Sequence, residues 1–402
     1  MLNACRQLSL NQRPFNLIVT LLVHSHIHFR DLEDASSVSL RDIARFCRLY
    51  NWYLDLLNQS APANLSQSEL HYFPHRASFI ALLLCYYFRL RSVKLQNIYI
   101  DKMQLIIAKW YPKPKNIHHY LMKDILEHEQ KSLIDNKMEL SEGTAWNRAL
   151  RNNIFVFLAC IINRIPLFMC NKPGSSKSSA VPILINNLKG KMSKDSYFQT
   201  LPELVTASFQ GSQNCTSEGI IKVFERADNY TRVKHCSELL PVIVFDEIGL
   251  VELSPYKPLK VLHADLEVET NNYGFVGISN WRLDASKMNR ALYLSTPDLD
   301  VQDLQLIGKT IVESMEQQAK KPLIDFNSII INGIAQAYYD LYDNLSDAPP
   351  DQKNYFGLRD YYSLIKSIVR NLMETKEKVD IYEIIRRQLK VNFDGILDGS
   401  SL

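Results

Sequence analysis

The pattern of hydrophobic and polar residues divides the chain into three stretches, of which the first is helical in character. Up to about residue 130, apolar residues recur at helical spacing, and the run SLRDIARFCRLYNWYLDLLNQ opens with Ser39, a residue type that caps helices. Three more segments have this spacing: SFIALLLCYYFRLRSV, MQLIIAKWY and HHYLMKDILEHEQKSLI. The first stretch is therefore predicted to be mainly helical.

From about Thr144 the pattern changes, and short apolar runs alternate with helical segments. The runs are IPLFMC (165–170), ELVTASF (203–209), PVIVFDE (241–247), GFVGISN (274–280) and ALYLST (291–296). Nearly continuous apolar strands separated by helices are typical of a parallel sheet covered on both faces. The predicted fold class is therefore α/β with a five-stranded parallel sheet. After Pro297 strand signals largely stop, and four helices are predicted.

Composition and charge exclude several classes of protein. The 402 residues are 46% hydrophobic and 22% charged, as in ordinary globular proteins, and the net charge of +3 gives no argument for nucleic acid or an anionic membrane. The seven scattered cysteines form no C-x-x-C pair, which argues against a disulfide framework or a zinc ribbon. The longest apolar runs fall short of the roughly 18–20 residues of a membrane span. We expect no nucleic-acid partner and no transmembrane segment.

The stretch NKPGSSKSSA (171–180) directly follows the first predicted strand and resembles a phosphate-binding loop. Compared with G-x-x-x-x-G-K-[ST], it has Asn171 and Ser176 in place of the two glycines. A strand, a tight turn and a helix start are the setting in which backbone N–H groups bind phosphate. Lys177 is predicted to reach the β- and γ-phosphates of ATP, and Ser178 to bind Mg²⁺. Alone, this stretch is equally well interpreted as a Gly/Ser-rich turn.

The backbone of this loop is expected to close without its usual glycines. Gly174 and the small residues Ser175 and Ser176 allow close approach of a ligand. Asparagine is among the residues best tolerated at positive φ, so Asn171 is expected to take the conformation of the first glycine, with reduced affinity as one consequence. The predicted nucleotide-binding residues of the loop are Asn171, Pro173, Gly174, Ser175, Ser176, Lys177 and Ser178.

A second motif, PVIVFDEIG, is an apolar strand that ends in two carboxylates, Asp246 and Glu247. Adjacent carboxylates at the end of a buried strand are costly unless they serve a function. Asp246 is predicted to hold Mg²⁺ through water, and Glu247 to polarise the water that attacks the γ-phosphate. The alternative is a strand that exits to solvent and turns at Gly249.

Three further residues extend the series. Asn280 ends the next predicted strand and is predicted to orient the attacking water, unless it is an ordinary turn residue. Arg290 is a candidate arginine finger for a neighbouring module, or a surface cation at a helix end. Arg359, in the run YFGLRDYYSLIK, is placed to contact the γ-phosphate, or to pair locally with Asp360. The order of these motifs along the chain matches that of an AAA+ ATPase module.

One short sequence occurs twice. SLRDIARF (39–46) and GLRDYYSL (357–364) share the core L-R-D, each at a predicted helix start. The repetition is explained by chance or by two equivalent helical lids.

Several motifs together closely resemble the mysterin family, giant RING-type ubiquitin ligases with a dynein-like AAA+ core. They are KPGSSKS, FDEIGLVELSPYKPLKVLH, VGISNWRLDASKMNR and FGLRDYYSLIK, within roughly Thr144 to Ser400. The run SLRDIARFCRLYNW is similar to the lid of the preceding module. The resemblance implies a helical lid of that module with connecting helices (1–130), an AAA+ large α/β domain (131–300) and a small helical lid (301–402).

The resemblance also assigns roles to the motif residues. It implies that Ser176 is the usual residue of the family, whereas Asn171 is this sequence's own departure from glycine, with reduced nucleotide affinity as the expected effect. It implies ATP and Mg²⁺ as ligands. The implied roles are Walker B for Asp246 and Glu247, sensor 1 for Asn280, sensor 2 for Arg359 and arginine finger for Arg290.

The partners and the location of the protein follow from the same resemblance. It implies neighbouring AAA+ modules of the same polypeptide as partners, ubiquitin-system proteins bound through absent domains, and a cytoplasmic location that extends to lipid droplets. No Cys/His cluster in this sequence has zinc-ligand spacing, so the chain is expected to be a fragment of such a ligase.

Three functions are compatible with these features. The first is an ATP-hydrolysing AAA+ module in which hydrolysis drives lid movement. The alternative is a nucleotide-binding regulatory or structural module with little turnover, which supports ubiquitin transfer carried by other domains. A helical scaffold without nucleotide is the weakest, because it does not explain the ordered series of motifs.

Overall fold

The computed structural model describes residues 12–62, 64–112, 117–233, 238–267, 272–323, 326–344, 357–374 and 380–393. Contacts within the chain define two compact units. The first unit comprises residues 1–138, 151–171 and 177–297, and the second comprises residues 139–150, 172–176 and 298–402. The chain therefore leaves the first unit after Asn171 and returns to it at Lys177, inside the predicted nucleotide-binding loop.

The first unit is built on a five-stranded parallel sheet, as the sequence predicts. The strands are β1 (Leu167–Cys170), β2 (Glu203–Gln210), β3 (Leu239–Asp246), β4 (Gly274–Ser279) and β5 (Leu292–Leu294). Their order is β2-β3-β4-β1-β5, with all neighbours parallel. The interior strand β1 is completely buried, which explains why it is apolar without alternation.

The register of the sheet brings the carboxyl ends of its strands to one edge. Cys170, the last residue of β1, pairs with Ser279 of β4, and Gln210 of β2 pairs with Asp246 of β3. In open α/β sheets ligands bind outside the carboxyl ends of the strands, at a point where the strand order reverses. The interior strand β1, between β4 and β5, provides such a point.

The first unit also contains the N-terminal helices. Their bounds are Gln12–Leu32, Leu40–Gln59, Gln67–Leu70, Phe73–Cys85, Val93–Trp110 and Met122–Gln130, with 3₁₀ segments at Ala35–Ser37, Tyr87–Arg89 and Ile117–Tyr120 and a π-helical turn at Lys131–Asp135. The predicted helix over SFIALLLCYYFRLRSV is interrupted after Cys85. The Arg89 guanidinium donates to the Cys85 carbonyl at 3.1 Å, and Ser92 caps a new helix by accepting from Leu95 N.

These N-terminal helices contact the β5 edge of the sheet through Arg89, which is also part of a buried ion pair. Arg89 is only 1% exposed, lies 3.1 Å from Asp42 and stacks 4.4 Å from the ring of Tyr293 in β5. Asp42 also pairs with Arg45 at 2.9 Å. Buried charges persist only when they are paired and hydrogen-bonded, so this cluster fixes where the helices meet the strand.

The remaining helices of the α/β region alternate with the strands along the chain. Their bounds are Arg148–Ile162, Lys177–Asn187, Ser196–Gln199, Ser217–Val233, Ile248–Glu252, Leu262–Asp265 and Ala285–Met288, with 3₁₀ segments at Gly190–Met192 and Pro258–Val261. The amphipathic helix Ser217–Val233 packs on β2 and β3. No helix in the described part of the chain combines the length and apolar character of a membrane span.

The second unit contains the four predicted C-terminal helices. They are Val301–Ala319, Ser328–Asn344, Leu358–Glu374 and Ile381–Phe393, which pack around a common apolar core. Tyr361 is at the centre of this core, where its hydroxyl donates to the Leu304 carbonyl at 2.8 Å.

Both copies of the L-R-D sequence begin helices, as expected. Asp42 accepts a hydrogen bond from Ser39 N at 2.8 Å, and Asp360 accepts one from Gly357 N at 2.7 Å. In each copy the aspartate thus satisfies a backbone N–H at the helix start, and in the first copy the Ser39 side chain completes a capping box. The repeated sequence therefore has the same local structural role in the two units.

Candidate functional site

Lys177 occupies a buried position at the carboxyl edge of the sheet. It begins the helix Lys177–Asn187 and is only 5% exposed. Its ammonium group donates to the Asn171 carbonyl at 2.5 Å and to Oδ1 of Asn280 at 3.2 Å. Lysine is almost never buried without polar partners. These contacts hold the charge between the ends of β1 and β4.

Asn280 joins Lys177 to Glu247. The side-chain amide of Asn280 donates to Oε1 of Glu247 at 3.2 Å and to Oε2 at 3.1 Å, while its oxygen accepts from Lys177. Three residues that are far apart in the sequence are thereby brought together in the first unit. The spatial proximity of Lys177, Asn280 and Glu247 agrees with the sequence prediction, although their catalytic roles stay predictions.

Glu247 has a strained backbone. Its φ and ψ are 50° and 37°, in the left-handed region, and it precedes the short helix Ile248–Glu252. Asp246 stabilises this turn because its Oδ1 accepts the Glu247 N–H at 2.9 Å. A non-glycine residue in such a conformation costs about 1–3 kcal/mol and is often found at functional sites.

Gly211 makes this conformation of Glu247 sterically feasible. It follows β2, and a Cβ at this position would lie 2.4 Å from the Glu247 carbonyl oxygen. Any larger residue would therefore displace the Glu247 backbone. Gly211 is not among the site residues predicted from the sequence, although a glycine two residues after a predicted parallel strand was a signal that could have identified it.

Asn171 is anchored by its side chain to the end of β5. It is 6% exposed, its Nδ2 donates to Thr296 Oγ1 at 2.9 Å, and its Oδ1 accepts Thr296 N at 2.5 Å. Thr296 in turn donates to Asn153 Oδ1 at 3.0 Å. The expectation that Asn171 takes a positive φ in place of glycine is wrong, because its φ is not positive. Asn171 contributes through its side chain, which forms two hydrogen bonds with Thr296.

The positive φ angles of the loop occur at Gly174 and Ser176 instead. Their values are 85° and 59°. Ser176 stands where the second glycine of the common motif would be. It therefore adopts the left-handed conformation that favours glycine. Left-handed geometry at a residue with a Cβ costs roughly 1–2 kcal/mol. The strained position of the loop is therefore Ser176, whereas Asn171 is relaxed and hydrogen-bonded.

We predict that Asn171→Gly destabilises the protein by about 2–4 kcal/mol, because Thr296 N–H would remain buried without its acceptor and the chain would gain unfolded-state freedom. Chemical denaturation of both proteins measures this loss. Asn171→Ala removes the same side chain without the added backbone freedom, so we expect it to lose nearly as much. Equal or greater stability of the glycine variant would contradict the anchoring role.

We predict the opposite sign for Ser176→Gly, which should raise the free energy of unfolding by roughly 0.5–1 kcal/mol through relief of left-handed strain. Ser175→Gly is the matched control, because Ser175 does not have a positive φ and its hydroxyl donates to the Lys172 carbonyl at 2.8 Å. The control should be destabilised. Denaturation midpoints that shift in the same direction for both variants would refute this assignment of strain.

The middle of the loop, residues 172–176, packs within the second unit. A Cβ at Gly174 would lie 2.7 Å from the Leu358 Cβ and 3.6 Å from the Arg359 backbone nitrogen. The start of the helix Leu358–Glu374 therefore lies against Gly174. The Arg359 side chain is exposed, as is Pro173.

Arg290 contacts a different group of residues. Its Nε lies 3.1 Å from Glu267, and its Nη1 donates to the Ser286 carbonyl. Arg41, from the first L-R-D sequence, contacts the same Glu267 at 2.7 Å. The candidate finger thus shares a partly exposed carboxylate with a second arginine.

The residues predicted to hold Mg²⁺ offer suitable donor atoms. Ser178 lies exposed in the first turn of its helix, and Asp246 is half-buried at the end of β3. Hydroxyl and carboxylate oxygens are ligands that Mg²⁺ prefers, and this ion usually takes one or two protein ligands together with phosphates and waters. The donor set therefore fits Mg²⁺.

Comparisons with known proteins give a consistent family. Residues 143–303 match the family model of the RNF213 AAA domain. The chain is 31% identical to the human E3 ubiquitin-protein ligase RNF213 and 32% identical to zebrafish (Danio rerio) rnf213-beta, over 98% and 96% of its length. It spans only 8% and 7% of those proteins. Among solved structures, Aeropyrum pernix ORC2 aligns with a TM-score of 0.41 and 13% identity, over 60% of this chain and 66% of that one.

Proposed function

Because the chain belongs to the RNF213 (mysterin) family and has the AAA+ fold, we propose that it is an AAA+ module that binds and hydrolyses ATP. The observation that carries this proposal is the network of Lys177, Asn280 and Glu247 at the carboxyl edge of the sheet. A cation, an amide and a carboxylate in contact are the groups that phosphate binding and water activation require.

The binding part of the proposal rests on Lys177 and the loop. The ammonium group is buried, so its attraction for the β- and γ-phosphates is screened less than that of a surface lysine. The left-handed conformation of Ser176 is one that anion-binding nests use, and in such a nest successive backbone N–H groups would face the phosphate. Ser178 and Asp246 would hold Mg²⁺, which neutralises phosphate charge when bound.

The hydrolytic part rests on Glu247 and Asn280. The Glu247 carboxylate is the proposed proton acceptor for the attacking water, and hydrogen bonds from Asn280 orient it. Because Asn280 also contacts Lys177, it is placed to respond to the phosphate that the lysine binds. Catalysis of this kind consists of positioning and electrostatic stabilisation rather than covalent chemistry.

The remaining roles extend the proposal to the neighbouring parts of the polypeptide. Arg359 would contact the γ-phosphate as sensor 2, and Arg290 would act as a finger for the nucleotide of an adjacent module. Hydrolysis would drive movement of the lid at residues 301–402. Residues 1–130 would serve as the lid of the preceding module and 131–300 as the large domain. A cytoplasmic or lipid-droplet location and ubiquitin-system partners are proposed from the family alone.

Nucleotide binding is tested by thermal unfolding with ATP and Mg²⁺. A ligand at 100 times its dissociation constant stabilises by about 2.7 kcal/mol, so a clear rise in melting temperature is expected. Chelation of Mg²⁺ should reduce this rise. Failure of ATP at millimolar concentration to change the melting temperature would refute the proposal.

A second candidate is a nucleotide-binding regulatory module with little turnover. One observation favours it: both Glu247 oxygens accept hydrogen bonds from Asn280, so the proposed base is already engaged. In such a module ATP would bind and stay intact. The variants of Lys177 and Glu247 discussed below distinguish the two candidates.

A further inference from the structure

Lys172, at the start of the loop, is bound to residues of the second unit. Its ammonium group donates to Asp298 Oδ2 at 2.9 Å and to the Tyr342 hydroxyl at 2.9 Å, and it lies 5.0 Å from the Tyr342 ring. Burial opposes the charged form, but these two hydrogen bonds outweigh it and raise the pKa of Lys172. The lysine therefore stays charged and fixes one side of the loop to the segment after β5 and to the helix Ser328–Asn344.

Gly174 is held by the helix Leu358–Glu374. The Tyr362 hydroxyl donates to the Gly174 carbonyl at 3.3 Å, and Leu358, one turn earlier on the same helix, lies against the glycine backbone. Burial raises the pKa of Tyr362 to about 12, so its hydroxyl remains a donor at neutral pH. The helix Leu358–Glu374 thus makes both a polar and a steric contact with the loop.

The orientation of the Gly174 peptide matters for phosphate binding. Its carbonyl is held by Tyr362, and the residues after it contribute the N–H groups that would face phosphate. Gly174 has a φ of 85° and little intrinsic preference for one conformation. Without the tyrosine hydroxyl, this peptide would be freer to rotate.

We propose that Lys172 and Tyr362 are positioning residues that form a latch, by which the second unit holds the middle of the phosphate-binding loop in its binding conformation. The inference rests on the proposed function, because it concerns the affinity of the same loop for ATP. It explains why residues 172–176 pack with the helical unit although Asn171 and Lys177 belong to the α/β unit. ATP affinity would then depend on the state of the helical unit through these two side chains.

Tyr362→Phe tests the latch, with Tyr361→Phe as its matched control. The neighbouring Tyr361 also donates to a backbone carbonyl, but that carbonyl belongs to Leu304 in the core of the second unit. We expect Tyr362→Phe to weaken ATP binding by about 2- to 12-fold, the range for loss of one neutral hydrogen bond, whereas Tyr361→Phe changes stability and leaves ATP affinity unchanged. Lys172→Gln is a second variant and should weaken binding in the same direction.

Hydrogen exchange without nucleotide separates the latch from the proposed function. Backbone amides of residues 174–176 should exchange several-fold faster in Tyr362→Phe than in the wild type, and at the wild-type rate in Tyr361→Phe. Unchanged loop exchange in Tyr362→Phe and Lys172→Gln would overturn the latch even if ATP binds. Equal loss of ATP affinity in both tyrosine variants would also overturn it. If the wild type shows a protected loop but binds no ATP, the proposed function is wrong and the inference that rests on it falls as well.

Discussion

Replacing Glu247 with glutamine is expected to lower ATP turnover by about 10²- to 10⁴-fold while ATP still binds. Glutamine keeps the size of the side chain but cannot take a proton from water. It also accepts a hydrogen bond from Asn280 less strongly than a carboxylate does. Turnover is measured as phosphate release by this chain and by a longer polypeptide in which neighbouring AAA+ modules flank it, since a finger can come from such a module.

Glu252→Gln provides the control for this variant. Glu252 ends the short helix that follows Glu247, and its carboxylate pairs with Lys287 at 2.7 Å. Its replacement should leave turnover within about twofold of the wild type. Turnover by Glu247→Gln at the wild-type rate would show that Glu247 is not the base. If wild type and Glu247→Gln both bind ATP without hydrolysis, the regulatory candidate is favoured.

Replacing Lys177 with alanine is expected to weaken ATP binding by about 30- to 5000-fold. Truncation of one partner in a buried charge pair typically costs 2–5 kcal/mol, and the phosphates would lose such a partner. The substitution also leaves the Asn171 carbonyl and Asn280 Oδ1 without the donor that they share. Titration of a fluorescent ATP analogue, or calorimetry, measures the change in dissociation constant.

Lys191→Ala is the matched control. Lys191 is an exposed lysine of the same unit, paired with Glu238 at 2.8 Å. Lys191→Ala should leave ATP affinity unchanged. An equal loss of ATP affinity in Lys177→Ala and Lys191→Ala would indicate nonspecific electrostatic attraction. Unaltered ATP affinity in Lys177→Ala would place the nucleotide elsewhere. Circular dichroism spectra and melting curves establish that each variant is folded before binding is compared.

The fold was largely readable from the sequence because its strands are buried on both faces. Such strands appear as uninterrupted apolar runs, and all five predicted runs form strands within a few residues of the predicted bounds. The helix predicted across SFIALLLCYYFRLRSV was less accurate. Periodicity continues through that segment, but Arg89, which follows the observed helix end, pairs with Asp42 and stacks on Tyr293, and these partners are distant in sequence.

The candidate site was partly readable for a different reason. Lys177, Glu247 and Asn280 each follow or end a predicted strand, and parallel strands bring such positions to one edge. The backbone of the loop was not readable. Asparagine is compatible with positive φ, so the sequence favoured Asn171 as the left-handed residue, whereas the structure places this conformation at Ser176. The hydrogen-bond partner that holds the Asn171 side chain, Thr296, is 125 residues away in the sequence.

By itself, the sequence determined the class of the fold, the order of the motifs and the identity of the candidate site residues, because these depend on local periodicity and residue type. Only the tertiary structure decided which residue of the loop carries strain and which side chains hold the loop in place. These outcomes depend on contacts such as those of Thr296 with Asn171 and of Tyr362 with Gly174. Such contacts join residues distant in sequence, and no local pattern of apolar and polar residues encodes them.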